Sequence, residues 1–362
     1  MTPSEPHDLL PPPGPIPGPI GRAASAIYMA VMRRRNRLYD RGVGVARFLV
    51  PVVSVGNLSV GGTGKTPAVR AFVRWMLEDG RRPAIAMRGY RAPRSADPLA
   101  STSDEAVELR RTLGTWPDGT PVPVLAHPDR TAAITSYLGS PAGSLADRIV
   151  LDDGFQHRRI ARDLDVVLID ATRDPWRDRP LPLGLLREPV KSLDRAGAIV
   201  VTHAEMVPEG SVRGMLDLAA NASPRAVLAS CRHGWTSLVV ESPEGAESRP
   251  VRWLHGKRVL AVCAIGNPAA FLAGMDRAIG GPVAGSVILR DHDPYSPRTI
   301  QRIIAAAHHA DAEVVLTTEK DWGKLARTGI VGQAPPTARP ILELSFDTGG
   351  PELRRAILAA GS

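Results

Sequence analysis

From Pro51 onward the chain repeats one device: a short unbroken apolar run, then a segment long enough for a helix. The runs are Pro51–Val55, Pro83–Met87, Val122–Leu125, Arg148–Leu151, Val166–Ile169, Ala198–Thr202, Arg258–Ala264, Val283–Leu289 and Glu313–Thr317. A strand with one wet face alternates apolar and polar residues, whereas an unbroken run suits a strand covered on both faces. Parallel strands need crossover connections, most often helices, so the pattern predicts an α/β fold with mainly parallel sheets. At ~150 residues per domain, 362 residues make two domains the expectation. Hydrophobic residues at 43% can fill two cores, and aromatics at 4% leave that task to Leu, Val, Ile and Ala.

The segments between and around the runs divide the chain further. Residues 1–20, rich in Pro and Gly, are expected to be a disordered lead. Over 21–41 the spacing predicts a helix with Ile27, Val31 and Leu38 on one face, Tyr28, Met32 and Tyr39 beside them, and Arg33, Arg34, Arg35, Arg37 and Arg41 supplying charge. That pattern suits either a helix packed on its own domain or one lying in a membrane interface. A first α/β domain is expected over 42–224 and a second over 258–362. Between them, Ala226–Cys231, Thr236–Glu241 and Val251–Leu254, with turn residues Pro243-Glu244-Gly245, read as an antiparallel ribbon linker over 225–257.

Several classes are excluded or disfavoured. Two cysteines, Cys231 and Cys263, are too few for a disulfide framework or a Cys-based zinc site. No run reaches the ~18 apolar residues of a spanning helix, and Glu5, His7 and Asp8 do not fit a secretory signal, so a cytoplasmic protein is expected. The net charge of +8 suits an anionic partner. The arginines are dispersed and no nucleic-acid module is recognisable, so nucleic acid is not the expected partner. No heptad points to a protein partner.

The strongest local signal is Val52–Pro67, where a buried strand runs into Gly61-Gly62-Thr63-Gly64-Lys65-Thr66 and then a helix. Glycines let backbone N–H groups turn inward around a phosphate, and the helix N-terminus adds its positive end. Gly61, Gly62, Thr63, Gly64, Lys65 and Thr66 are therefore expected to bind ATP, with Lys65 on the β- and γ-phosphates and the Thr66 hydroxyl on Mg²⁺. The strict pattern wants glycine where Ser59 stands. A metal-side carboxylate is expected at a neighbouring strand end, and Asp152-Asp153, ahead of Gly154-Phe155-Gln156-His157, supplies two. Asp170, ending another run, is a weaker candidate.

These blocks, with Ser54-Val55-Gly56-Asn57, Arg88-Gly89-Tyr90, Leu186-Arg187-Glu188-Pro189, Gly266-Asn267-Pro268, Asp291-His292 and Thr318-Glu319-Lys320-Asp321, resemble the tetraacyldisaccharide 4′-kinases of lipid A biosynthesis. The resemblance spans about Gly21 to Lys324 in the family's order. It implies ATP- and Mg²⁺-dependent phosphorylation of the 4′-hydroxyl of a tetraacylated glucosamine disaccharide 1-phosphate. It also implies two α/β/α domains joined by a two-stranded linker, and a peripheral position on the cytoplasmic face of the inner membrane, where 21–41 would lie in the interface. Asp104 matches the carboxylate, and His292 the imidazole, that receive the acceptor's proton. Arg130 matches a phosphate clamp, Gln156 and Arg187 flank the metal and phosphates, and Glu188 would hold sugar hydroxyls. Arg88, Lys320 and Lys324, which follow strands at their carboxyl ends, are further candidates. Departures are Met87, Asp129 and Leu183-Gly184-Leu185, which replace more usual family residues.

Two rival classes share parts of this signature. Another P-loop ligase or synthase would use the same loop but would not need Asp104, His292 or the helix over 21–41. A nucleotide switch that binds nucleic acid would account for the basic charge and would show salt-dependent retention of DNA.

Overall fold

The computed structural model describes residues 14–89, 99, 103–266, 268–291 and 293–361, and for Asp104 and Ala270 the backbone alone. The chain forms two units: one runs through Arg232 and resumes at Leu344, and the other is His233–Glu343.

The first unit contains α1 (Gly18–Asp40), β1 (Val52–Asn57), α2 (Lys65–Glu78), β2 (Pro83–Met87), α3 (Asp104–Thr112), β3 (Val124–Ala126), α4 (Arg130–Leu138), β4 (Arg148–Asp152), β5 (Leu164–Asp170), β6 (Ala198–Thr202) and α5 (Glu209–Ala222). Next comes β7 (Val227–Ser242), whose first residues belong to this unit. Its sheet order is β7-β6-β5-β1-β4-β2-β3, and every pairing in it is parallel. The chain leaves β4 on one flank of β1 and returns as β5 on the other. That reversal opens a crevice at the carboxyl end of β1, the usual ligand position in such sheets.

Both faces of the strands are covered. Val166 and Leu168 of β5 enter one core with Phe72, Val73 and Met76 of α2, while Val167 and Ile169 enter another with Val212 and Met215 of α5. Alternate residues thus serve two different cores, which is why the sequence shows no alternation. The second unit repeats the scheme with β8 (Gly245–Pro250), β9 (Val259–Cys263), α6 (Pro268–Ile279), β10 (Gly285–Ile288), α7 (Pro297–His309), β11 (Val314–Leu316), α8 (Glu319–Leu325) and most of β12 (Thr337–Thr348). Leu260 and Val262 of β9 face one core, and Val259, Ala261 and Cys263 the other. The nine apolar runs are nine parallel strands, and the fold is α/β.

The segmentation differs from the expectation in three places. Residues 1–13 of the expected lead lie outside the described residues, but 14–20 are ordered: Gly14 is buried, the Ile16 N–H donates to Pro182 O at 3.0 Å, and α1 starts at Gly18. Pro19 fits the first helical turn, where no backbone donor is needed. Second, β7 is one 16-residue strand rather than two short ones, and Val251–Leu254 is a 3₁₀ turn. Its latter half pairs antiparallel with β8. Third, the last segment does not stay with the second unit. β12 runs from the second unit into the first, antiparallel to β7, as Thr236–Ile341 and Ser230–Thr348 contacts show. It was not among the predicted runs because its latter half alternates Leu342, Leu344 and Phe346 with Glu343, Ser345 and Asp347.

The chain then forms α9 (Gly350–Leu358), which buries Leu353 and Ile357 in the core of α2 and sets Arg354 2.9 Å from Glu78. Leu353→Ala should therefore weaken the unit that carries the glycine-rich loop, by about 2–5 kcal/mol. Denaturant unfolding followed by Trp75, which stacks near Phe346 at 5.2 Å, checks this.

Candidate nucleotide-phosphate site

The loop from Leu58 to Gly64 joins β1 to α2. Gly61 and Gly64 have φ of 119° and 75°, conformations that L side chains rarely adopt. Gly64 is the N-cap of α2 and offers no side chain to the first-turn N–H groups, which leaves them for an anion. Ser59 needs no such freedom. It forms an antiparallel bridge with Leu186, while Val60 N–H donates to Leu185 O at 2.8 Å and Arg187 N–H to Leu58 O at 2.7 Å. The loop entry is thus extended, paired backbone, where serine serves as well as glycine.

Lys65, the first residue of α2, directs its ammonium to Asn57 Oδ1 at 3.3 Å and Asp153 Oδ1 at 3.5 Å. Asn57 is wholly buried and its amide also donates to Ser59 O at 2.8 Å, so it ties the strand end to the loop. Thr66 is the second residue of α2. Thr63 is buried and its backbone carbonyl accepts from Thr202 Oγ1 at 3.1 Å, while its own hydroxyl has no partner.

Across from the loop, β4 ends in the two carboxylates. Asp153 has φ 51°, and the turn that follows leaves no room at Gly154, where a Cβ would lie 2.6 Å from Ser54 Oγ. Arg187 Nη1 donates to both Asp153 oxygens at 2.8–2.9 Å, and Arg130, itself buried, donates to the Asp153 carbonyl at 3.1 Å. Burial works to raise the Asp153 carboxyl, but Lys65, Arg187 and Arg130 outweigh it and hold it below the usual carboxylate range. Asp152 feels Lys65 and Arg130 too, but they do not outweigh the opposing causes. Burial, then the charges of Asp153 and Glu105, push its carboxyl up to about 6, and its Oδ1 is buried without a hydrogen-bond partner.

The turn is braced from behind. Arg162, not singled out from the sequence, donates to the carbonyls of Gly154 and Phe155 at 2.9 Å, and its Nε lies 3.0 Å from Asp165. Nothing marks it in the sequence, because one arginine among many carries no signal of its carbonyl partners. Gln156 donates to Asn57 O at 2.8 Å, and its Oε1 is buried and unpartnered. His157 is pushed down to about 4 by burial and by Arg130, so it stays neutral at physiological pH. Asp170 ends β5 and is held by His203 Nδ1 at 3.2 Å and Thr172 Oγ1 at 2.7 Å.

Of the expected site residues, Lys65, Asp152, Asp153, Arg130, Gln156 and Arg187 converge on this turn. Glu188 does not: it is wholly buried, 2.9 Å from Arg195 Nη2, and accepts from Asn36 Nδ2 at 3.1 Å. Both donors meet Oε2, and Oε1 is buried without a hydrogen-bond partner, 3.8 Å from Arg35 Nη2. Asp104 is the first residue of α3, after the N-cap Ser103. His292, like Tyr90 and Asn267, lies outside the described residues. In the second unit, Lys320 pairs with Asp291 at 2.9 Å and Lys324 donates to Asp293 O at 3.0 Å.

The residues fit a hard cation. Asp152 Oδ1 is a buried oxygen without a partner, and carboxylate and hydroxyl oxygens are the donors Mg²⁺ takes. Among the described residues no cluster of three or more His, Cys, Asp or Glu forms a closed cage. Mg²⁺ commonly completes its shell with water and nucleotide oxygens, so two or three protein ligands suffice.

The Asp152 shift has a sign that can be tested. Its folded-state value lies above its unfolded one, so the charged form costs stability once the pH exceeds about 6, and the cost fades as pH falls toward 4. Asp152→Asn should raise the ligand-free protein's stability at pH 7.5 by on the order of 1–3 kcal/mol, with the gain vanishing near pH 4. Thermal melts across that range measure it.

Comparison with known proteins agrees with this geometry. Residues 19–360 match the family described as LpxK, Tetraacyldisaccharide-1-P 4′-kinase. The chain is 37% identical over 330 residues to the tetraacyldisaccharide 4′-kinase of Anaeromyxobacter dehalogenans, covering 85% of this chain and 83% of that one. It is 34% identical over 339 residues to the enzyme of that name from Geobacter metallireducens, covering 89% and 92%. Among solved structures it resembles LpxK from Aquifex aeolicus in complex with ATP, with a TM-score of 0.70 and 27% identity over 94% of this chain and 98% of that one. With a phosphate loop, a paired-carboxylate turn and a family match over nearly its whole length, this chain belongs to the tetraacyldisaccharide-1-phosphate 4′-kinase family.

Proposed function

We propose that the chain is an ATP-dependent kinase that phosphorylates the 4′-hydroxyl of tetraacylated glucosamine disaccharide 1-phosphate, a step of lipid A biosynthesis. The observation that carries this is the convergence of Lys65, the first-turn N–H groups of α2 and the unpartnered Asp152 oxygen at the carboxyl end of β1 and β4. Gly61, Gly62, Thr63 and Gly64 wrap the triphosphate, and Lys65 neutralises its β- and γ-oxygens. Thr66 and Asp152 would hold Mg²⁺, which when bound neutralises further phosphate charge. Asp153, already countered by Lys65 and Arg187, keeps those two cations aligned beside it. Arg130 and Arg187 add fixed positive charge where negative charge builds on the transferring group.

In the reaction the bond from the γ-phosphorus to the ADP oxygen breaks and ADP leaves with the electron pair. A new bond forms to the 4′-oxygen, and the hydroxyl proton passes to the groups the motifs supply, Asp104 and His292.

The substrate's four acyl chains hold it in a bilayer, and α1 supplies a surface to meet it. At about 100° per residue, Ile20, Ile27, Val31 and Leu38 fall within about 20° of one line, and all four are exposed. Arg34 and Arg37, about 40° and 100° round from that line, are exposed too. An apolar row beside cations suits anionic headgroups. Among the described residues no helix is long and apolar enough to cross a membrane. The reading is a peripheral enzyme on the cytoplasmic face of the inner membrane.

Purified protein, ATP labelled at the γ-position and the disaccharide 1-phosphate lipid in detergent should yield labelled lipid. Label found only as free phosphate would reject the acceptor. Lys65→Ala should lower kcat by roughly 10²–10³-fold, as loss of a transition-state charge partner does. His292→Ala and Asp104→Asn should each cost about 10²–10⁴-fold if they take the proton.

A further inference from the structure

Helix α1 has two working faces, and the inner one reaches the site. Gly21, Ser25, Met29 and Met32 form its buried row, turned away from the exposed apolar line. From beside that row the Tyr28 hydroxyl donates to the Arg187 carbonyl at 2.8 Å, and the Asn36 amide donates to Glu188 Oε2 at 3.1 Å. Ser25 Oγ donates to Pro180 O at 3.0 Å. The segment so held is the one whose backbone pairs with the loop entry at Leu58 and Val60, and whose Arg187 side chain clamps Asp153. Glu188 connects onward to Arg195, whose guanidinium lies 3.7 Å from the centre of the Phe155 ring, two residues after Asp153. A second tie runs from Arg158, which donates to Asn36 O at 3.3 Å and also binds Asp40. Burial raises the Tyr28 hydroxyl above its ordinary value, so it remains a donor.

We propose that Tyr28 and Asn36 are positioning residues for phosphoryl transfer: they hold the 185–188 segment so that it pairs with the phosphate-loop entry and presents Arg187 to Asp153. The helix read as the lipid anchor is then also a structural member of the active site. Its contribution is present when no bilayer is. Glu188 acts within this link as the buried acceptor that fixes the segment's orientation, which accounts for a carboxylate sealed from solvent beside an active-site arginine. The kinetic half of the test rests on the kinase reading, and the other half does not.

Full-length Tyr28→Phe, Asn36→Leu and the double variant are compared with the parent. In detergent micelles carrying the disaccharide 1-phosphate lipid, with Mg²⁺ and ATP, the double variant should lose about tenfold in kcat, the scale of two lost hydrogen bonds. KM for the lipid and co-sedimentation with phosphatidylethanolamine–phosphatidylglycerol vesicles should stay at parent values. A helix that only anchors would give the reverse, a raised KM with kcat intact, and that result overturns the proposal. Hydrogen exchange without lipid or nucleotide reads the link itself. The amides of Val60, Leu186 and Arg187 should exchange faster in the double variant while those of β4 and β5 do not. Unchanged exchange overturns the proposal even in an active enzyme. A parent that transfers no label to lipid, with accelerated exchange in the double variant, would reject the kinase reading and leave the link standing.

Discussion

Two adjacent carboxylates at the end of a strand buried on both faces cannot stand uncompensated, and the first unit is arranged around that fact. Burial raises the cost of each charge, and each raises the cost of the other. The chain answers asymmetrically. Asp153 receives Lys65, Arg187 and Arg130, while Asp152 is left under-compensated with an unpartnered oxygen. The asymmetry separates them: one carboxylate gathers Lys65, Arg187 and Arg130, and the other is left short of positive charge. A divalent cation beside Asp152 would supply what the protein omits. The protein therefore stores a modest instability at Asp152, the relation expected between a preorganised site and the stability of the fold.

The sheet makes this arrangement possible. β1 sits between β4 and β5, so the glycine-rich loop and the turn that carries the aspartates leave the same edge side by side. The turn itself depends on Gly154, where no Cβ fits against Ser54, and on Arg162, whose guanidinium gathers the carbonyls the turn leaves unpaired. An arginine bonded to backbone rather than to a ligand is a structural bolt, and its value lies in the turn's shape rather than in its charge.

The N-terminal helix joins two demands that are often met by separate elements. Its outer row is apolar and exposed, and its inner row is packed and hydrogen-bonded to the 180–188 segment. A helix can do both because residues 100° apart face different surroundings. An exposed apolar row and the arginine that clamps Asp153 are thereby linked through two side chains and one short stretch of backbone.

Much of this could be read in the residues alone. The nine unbroken apolar runs identified nine strands, and the glycine-rich loop before Lys65 and the Asp152-Asp153 turn were visible because each is a local pattern with a local cause. The family resemblance drew on the same short blocks. Tertiary structure alone decided what depends on distant partners. It returned the end of β12 and α9 to the first unit, since Leu353 and Ile357 can be buried only where α2 leaves an apolar face open. It turned Glu188 inward to Asn36 and Arg195, it distinguished Asp152 from its neighbour, and it explained Ser59 by an extended pairing with Leu186. Periodicity records which face a residue shows. It cannot record which of many arginines will meet it there, as Arg187 meets Asp153 and Arg195 meets Glu188.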